Sequence, residues 1–453
     1  MAFNDKCAVA GVWNHPAASF LTYLALYALQ HRGQEGAGIV SLHEGKHLSC
    51  KDQGLVGQIF TKEKLAQLKG SSAIGHTRYS TTGLDELKNI QPFTKELNLG
   101  PLSVAHNGNI VNYSLLKEKF LKESRVFTEG DSDTECLFPL MADCEEKELG
   151  QRLLKACSQL EGAYSFVILT KDSFIAVRDP MGFRPLVLGK KEEAYVVASE
   201  TCAFDLIGAK YIREISAGEI LIINKQGMKS LFLPKAQKKA RCIFEYVYFS
   251  RPDSFVFSQN VYERRKKMGE YLAKEHPISA DMVIPVPDSG IPAAIAYAQH
   301  TGLPYEMGIV RNHYIGRTFI QPSPLIRNFK VKIKLNPQTI VKGKRVVAID
   351  DSIVRGTTSK ALVEILRSAG AKEVHLRVSS PPIKGPCYYG VDTPQKKQLI
   401  SGEGHDVEKV RQFIGADSLA YLSYESLLKA GGSREFCSAC FDEKYPTAVY
   451  NSL

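Results

Sequence analysis

The sequence lacks any apolar run long enough to cross a bilayer. The longest, residues 18–29, is broken by Ser19 and Thr22 and is expected to form a buried helix. Residues 1–6 carry no apolar targeting core, so a cytoplasmic protein without a membrane partner is expected. A reducing cytoplasm disfavours structural disulfides. The 10 cysteines must then be explained by packing, catalysis or metal. Low-complexity tracts and short internal repeats are also missing, which argues against solenoids and disordered scaffolds. Nor is there zinc-finger spacing, an aromatic-rich RNA-binding signature, or a basic region joined to heptads.

What is present is an ordinary globular composition, 44% hydrophobic and 23% charged over 453 residues, enough for two or three domains. The formal net charge of +10 fits either nucleic acid or a small, highly anionic substrate. The lysines are scattered and most read as a solvated basic surface, so no nucleic-acid partner is expected. The first half alternates short β-like runs (8–12, 73–76, 103–106, 164–169, 174–177 and 194–198) with helical patterns at 20–29, 115–122 and 149–160. That grouping predicts a layered α+β domain. A Pro- and Lys-rich stretch at 233–241 reads as a linker. Beyond it come two strand–loop–helix units, 282–300 and 345–369, followed by a strand at 373–378. They predict a parallel, doubly wound sheet with ligands at the carboxyl ends of its strands.

One of those loops carries recognisable chemistry. The strand 345–349 runs into Asp350 and Asp351, then Ser352, Arg355, Gly356, Thr357 and Thr358 at a helix start. Backbone N–H groups there suit a phosphate, with hydroxyls as further donors. Two acids beside a phosphate cradle make sense if they hold ribose hydroxyls or a shared Mg²⁺. Elsewhere the reading stays open. Cys7, before an apolar strand, is by itself more often a core residue than a catalyst. Cys437 and Cys440 form a C-x-x-C that alone could be a zinc half-site, a redox pair or chance, with zinc the default.

Ordered motifs extend these readings. The 345–358 segment resembles the phosphoribosyl pyrophosphate (PRPP) motif of type I phosphoribosyltransferases. The resemblance implies that Asp350 and Asp351 hold the ribose diol and Mg²⁺, and that Ser352, Arg355, Gly356, Thr357 and Thr358 wrap the 5′-phosphate. It also implies a pyrophosphate loop at Asp288, Ser289 and Gly290, with Ser289 near the metal, and a mobile lid at 311–319 carrying Arg317. In the first half, His31-Arg32-Gly33-Gln34, Gly75-His76-Thr77-Arg78, Ala105-His106-Asn107-Gly108 and Gly130-Asp131-Ser132-Asp133 occur in order. Together they resemble the glutaminase domain of N-terminal-nucleophile (class II) amidotransferases, an α-β-β-α sandwich. Cys7 is then the nucleophile, freed by removal of residues 1–6. Asn107 and Gly108 form the oxyanion hole, while Arg78, Asp133 and Arg32 hold glutamine. Ala8 stands where glycine is common in that family.

Both halves together are similar to the iron–sulfur amidophosphoribosyltransferases. This implies one 4Fe-4S cluster per subunit on Cys242, Cys387, Cys437 and Cys440, one Mg²⁺ per subunit, a homotetramer, and inhibition by purine nucleotides. The implied division is a propeptide at 1–6, a glutaminase domain at 7–234 and a phosphoribosyltransferase domain at 235–453. Two rivals remain. A class II glutaminase serving another acceptor is disfavoured by the 349–358 motif. A PRPP- or nucleotide-sensing regulator is disfavoured by the intact set of Cys7, Arg78, Asn107 and Asp133.

Overall fold

The computed structural model describes residues 6–79, 87–123, 132–312, 335–391, 393, 395–402, 404 and 406–450. The amino-terminal half is built from two stacked antiparallel sheets. The first has seven strands in the order Lys210–Glu214, Val187–Lys191, Ala194–Ala198, Lys6–Trp13, Ser72–Tyr79, Gly36–His43 and Lys46–Gln53. The second has six: Gly227–Phe232, Glu219–Asn224, Ser173–Arg178, Gly162–Thr170, Gly100–Ile110 and Phe93–Leu97.

Side chains alternate faces along a strand, and this sorts the core into layers. On Lys6–Trp13, Ala8, Ala10 and Val12 pack toward the helix Ala18–Ala28. Val9 and Trp13 point the other way, into the space between the sheets, where they meet Ala105, Val167 and Phe174. The outer face of the second sheet is covered by the helices Tyr113–Lys122, Leu137–Ala142 and Leu149–Cys157, whose Phe120, Leu140 and Leu153 share a core with Phe166 of the sheet. The result is the four-layer α-β-β-α sandwich that the motifs imply.

The carboxy-terminal half has a parallel sheet ordered Met282–Pro285, Arg345–Asp350, Glu373–Val378 and Ser418–Tyr421. Both faces are covered, as parallel sheets require. Val347 and Ile349 lie in the core shared with the helices Val261–Glu275 and Ile291–Thr301. Val346 and Ala348 face the helices Thr357–Ser368 and Val407–Ile414. The expected strands and helices form, with ends displaced by a few residues. The sequence reading passed over edge strands such as Lys46–Gln53, whose polar, part-exposed residues carry little hydrophobic alternation.

The two helices of the first core touch at a glycine. A Cβ on Gly269 would lie 2.1 Å from the carbonyl oxygen of Ala293. Alanine would gain about 1 kcal/mol of helix propensity, but the obstructing atom is backbone and cannot yield cheaply. Gly269→Ala is therefore expected to cost about 1–3 kcal/mol net of that gain. It should appear as a lower urea midpoint at an unchanged denaturant slope.

Candidate active site

Strand register brings the amino-terminal motif residues to one end of the sandwich. Cys7 is directly opposite Arg78 on the neighbouring strand, so their side chains leave the same face of the sheet. Cys7 shares the parity of Val9, which faces the gap between the sheets. Asn107, on the second sheet, shares the parity of Ala105 and faces the same gap. Its Nδ2 donates to Ser199 Oγ at 3.5 Å, and that hydroxyl accepts from Val9 N at 3.0 Å. Asn107 is thereby tied to the strand that carries Cys7. Its Oδ1 is buried and has no hydrogen-bond partner among the described residues. Gly108 has φ +154°, and a Cβ there would lie 2.0 Å from Ala163 O, so only glycine fits. Asp133 is buried and accepts from Ile110 N at 2.7 Å, placing its carboxylate against the Asn107 strand.

In the second half, Asp350 ends its strand and Asp351 follows, both buried. Asp351 accepts hydrogen bonds from Ser289 and Ser352, and its N–H donates to Asp350 Oδ1 at 2.9 Å. Burial raises the pKa of both carboxyls. The neighbouring Asp351 raises Asp350 further, while the Ser289 and Ser352 hydroxyls partly offset the effect at Asp351. A cation or a diol would relieve the pair. Gly290 brings the 287–290 turn against this strand: a Cβ there would meet Ile349 O at 2.3 Å. The Pro287–Asp288 peptide is cis, and the Asp288 carboxylate is ion-paired with Arg311. Gly356 takes φ +73° just ahead of the helix Thr357–Ser368. Arg355, Thr357 and Thr358 are exposed around that helix start, where unpaired N–H groups favour an anion. The structure thus gathers Ser289, Gly290, Asp350, Asp351 and the 352–358 loop. Arg317 and the lid beyond residue 312 lie outside the described residues, as do residues 1–5 of the expected propeptide.

Comparison with known proteins agrees with both halves. Residues 76–205 match the glutamine amidotransferase domain family and residues 260–409 the phosphoribosyl transferase domain family. The chloroplastic amidophosphoribosyltransferase 1 of Arabidopsis thaliana is 52% identical over 98% of this chain and 79% of its own length. The Bacillus subtilis amidophosphoribosyltransferase is 48% identical over 99% and 95%. The chain belongs to the amidophosphoribosyltransferase family. It is a glutamine PRPP amidotransferase, the enzyme of the first step of purine biosynthesis. A solved structure of the allosteric regulatory enzyme of purine biosynthesis superposes with a TM-score of 0.94 at 48% identity, covering 98% of this chain and 97% of that one. The B. subtilis enzyme complexed with ADP and GMP superposes at 0.92 with 47% identity, covering 98% of each chain.

The four cysteines singled out by family resemblance converge from distant parts of the chain. Cys242 and Cys437 are paired in register on two short parallel strands. Lys384 N and Gly385 N both donate to Cys440 O, at 2.8 and 3.2 Å, and so draw the segment of Cys387 toward Cys440. Burial pushes all four thiols up, Cys242 to about 12. The charges of Cys242 and Cys387 add to the effect at Cys437 and Cys440. Among the described residues, no three His, Cys, Asp or Glu side chains converge as a single ion needs. A zinc ion requires tetrahedral bonds of about 2.3 Å to sulfur, a tighter gathering than these four thiols make. An iron–sulfur cluster takes each thiolate on a different iron, and its ligands need not meet at one point.

Arg32 occupies an unexpected place. Its side chain is 0% exposed and lies between the halves. Nε donates to Cys7 O at 3.3 Å, and Nη2 to Glu245 Oε1 at 2.7 Å. Nη1 donates to Glu245 Oε2 at 3.0 Å and also to Glu200. Glu245, also fully buried, belongs to the π-helical segment Glu245–Phe249 and is ion-paired with Arg184 at 2.9 Å. Burial opposes the Arg32 charge, but Glu245 and Glu200 outweigh it and hold the pKa above its ordinary value. The guanidinium therefore touches Cys7 only through its backbone carbonyl and is otherwise held in a charge cluster. Sequence reasoning missed Glu200, Glu245 and Arg184, since isolated acids and arginines carry no local signal. Replacing one partner of a buried ion pair strands the others, at about 3–5 kcal/mol. Arg32→Met is expected to lose that much stability, measured by urea unfolding of the full chain.

Proposed function

We propose that Cys7 attacks the glutamine side-chain amide and that the ammonia released is consumed at the PRPP site of the same chain. The register of Cys7 with Arg78, opposite Asn107, carries this reading. Removal of residues 1–6 would leave Cys7 with an α-amine, whose ordinary pKa of about 7.7–8.0 suits it to take the thiol proton near neutrality. Asn107 Nδ2 and Gly108 N–H would donate to the tetrahedral oxygen. Arg78 would fork onto the substrate α-carboxylate and Asp133 would pair with its α-ammonium. Arg32 would brace the pocket from behind. Water then hydrolyses the γ-glutamyl thioester to glutamate.

At the second site, Asp350 and Asp351 would hold the ribose diol. Ser352, Arg355, Gly356, Thr357 and Thr358 would take the 5′-phosphate, and Asp288, Ser289 and Gly290 the pyrophosphate. Ser289, Asp350 and Asp351 would hold one Mg²⁺, which when bound neutralises charge on the leaving pyrophosphate. Magnesium keeps several waters and shares substrate oxygens, so it needs no three-residue protein cage. Arg317 on the lid would cover the pyrophosphate and exclude water, the competing nucleophile. Ammonia must travel unprotonated, because ammonium has no lone pair. A channel formed on lid closure would meet that need; ammonia would bond to C1 of PRPP as the bond from C1 to pyrophosphate breaks, giving 5-phosphoribosylamine, pyrophosphate and a proton.

Cys242, Cys387, Cys437 and Cys440 would carry one 4Fe-4S cluster that pins the carboxy-terminal tail. Four buried thiols drawn together from distant parts of the chain, two of them in register on paired strands, support it. The division at residues 234/235, a homotetramer and inhibition by purine nucleotides complete the reading; ADP and GMP are the nucleotides in the B. subtilis complex. A cytoplasmic location belongs to the same reading.

Cys7→Ala should abolish glutamine-dependent pyrophosphate release yet leave release driven by ammonium salts within about twofold of the unsubstituted enzyme. Loss of both, or of neither, would contradict the assignment. Cys387→Ser should lower bound iron and sulfide in anaerobically purified protein, read by elemental analysis. Unchanged iron would remove the cluster from the reading.

A further inference from the structure

The oxyanion strand is held from outside its own half of the chain. Gly108 is closed in on one side by Ala163 O, 2.0 Å from where its Cβ would be. On another side stands Gly390. A Cβ on Gly390 would lie 3.0 Å from both C and O of Gly108, and 3.1 Å from its Cα. One residue along, Asn109 Nδ2 donates to Tyr388 O at 2.8 Å across 279 positions of sequence. Residues 388–390 thus form a strap lying on the backbone of the proposed oxyanion hole.

The strap is itself fixed. Tyr389 is 2% exposed and its ring stacks on Phe183, with centroids 4.3 Å apart and planes 18° apart. Its hydroxyl bonds Thr447 Oγ1 at 2.9 Å, near the end of the chain. Phe183 is anchored in turn: its carbonyl accepts from Cys242 N at 3.0 Å, and its N–H donates to the buried Asp179 carboxylate at 3.2 Å. Gly390 takes φ +89°, which lets the backbone approach without a side chain.

We infer that residues 388–390 position the Gly108 N–H for glutamine hydrolysis, making the second half of the chain a structural part of the first half's active site. The inference rests on the oxyanion role proposed for Asn107 and Gly108. A backbone donor cannot be re-aimed by rotating a side chain; the strap touches Gly108 at its Cα and carbonyl, just beyond the peptide that carries the N–H, and so acts on the donor through the backbone dihedrals of Gly108. Oxyanion donors act only over a narrow range of distance, and displacements of a few tenths of an ångström to 1 Å are costly in rate. Tyr388, Gly390 and Asn109 are positioning residues, since none of them needs to touch the substrate.

The test uses the full-length holoenzyme carrying Gly390→Ala or, separately, Asn109→Ala. The first pushes a methyl onto the Gly108 peptide, and the second removes the bond to Tyr388 without adding bulk. Glutamine hydrolysis with PRPP present is measured for kcat and KM, and PRPP consumption driven by ammonium chloride reports the second site alone. The expected result is a fall in glutaminase kcat of about tenfold or more, a glutamine KM within twofold, and an ammonium-driven rate within twofold. Glutaminase kcat unchanged in both variants overturns the inference. So does a parallel fall of the two activities, which would signify general loosening. If the unsubstituted enzyme itself hydrolyses no glutamine, the proposed function fails instead, and the comparison of variants is not reached.

Discussion

Much of this architecture depends on one buried ionic contact, that of Arg32 with Glu245. The arginine comes from the half that carries Cys7, and the glutamate from the first turn beyond the linker. Neither charge is tolerable alone in a low-dielectric interior. Glu200 and Arg184 complete the balance, and Phe249 lies under both guanidinium groups, 4.6 and 4.9 Å from their centres. Because Arg32 also donates to the Cys7 carbonyl, the contact that joins the halves reaches the strand of Cys7.

The same segment extends toward the other site. Arg265, buried on the helix Val261–Glu275, donates to the carbonyls of Tyr246, within the Glu245–Phe249 turn, and Ser250, just after it, each at 2.8 Å. Its charge is felt at Asp351, where it lowers the carboxyl against the effect of burial. Buried polar groups in hydrogen-bond contact therefore run from Arg265 through Ser250, Glu245 and Arg32 to the backbone of Cys7. Each end has a two-sided role: a local one in its own pocket, and a shared one in aligning two sheets of different topology.

Much of the fold was legible in the sequence because alternation and strand–loop–helix order are local signals. The 8–12 and 164–169 runs are strands because Val, Ile and Ala recur at positions that a sandwich can bury. The 345–358 segment could be read because a strand, two acids and a glycine-led helix start coincide within fourteen residues. The partners of Arg32 were not legible. They stand 168 and 213 positions away, and no periodicity marks a lone glutamate that becomes buried only when two domains meet. The strap over Gly108 was hidden for the same reason, since residues 387–390 draw attention only to their cysteine. Edge strands such as Gly227–Phe232 escaped because their side chains are largely exposed.

The short parallel pairing of Arg241–Cys242 with Phe436–Cys437 has a further consequence. It joins the end of the linker to residues 436–437, closing the second half into a loop nearly two hundred residues long. A ribosome must therefore pass residue 437 before that closure can form. Until then the cysteine-bearing segments remain apart, and the acceptor half can reach its final shape only after the nitrogen-releasing half has already emerged.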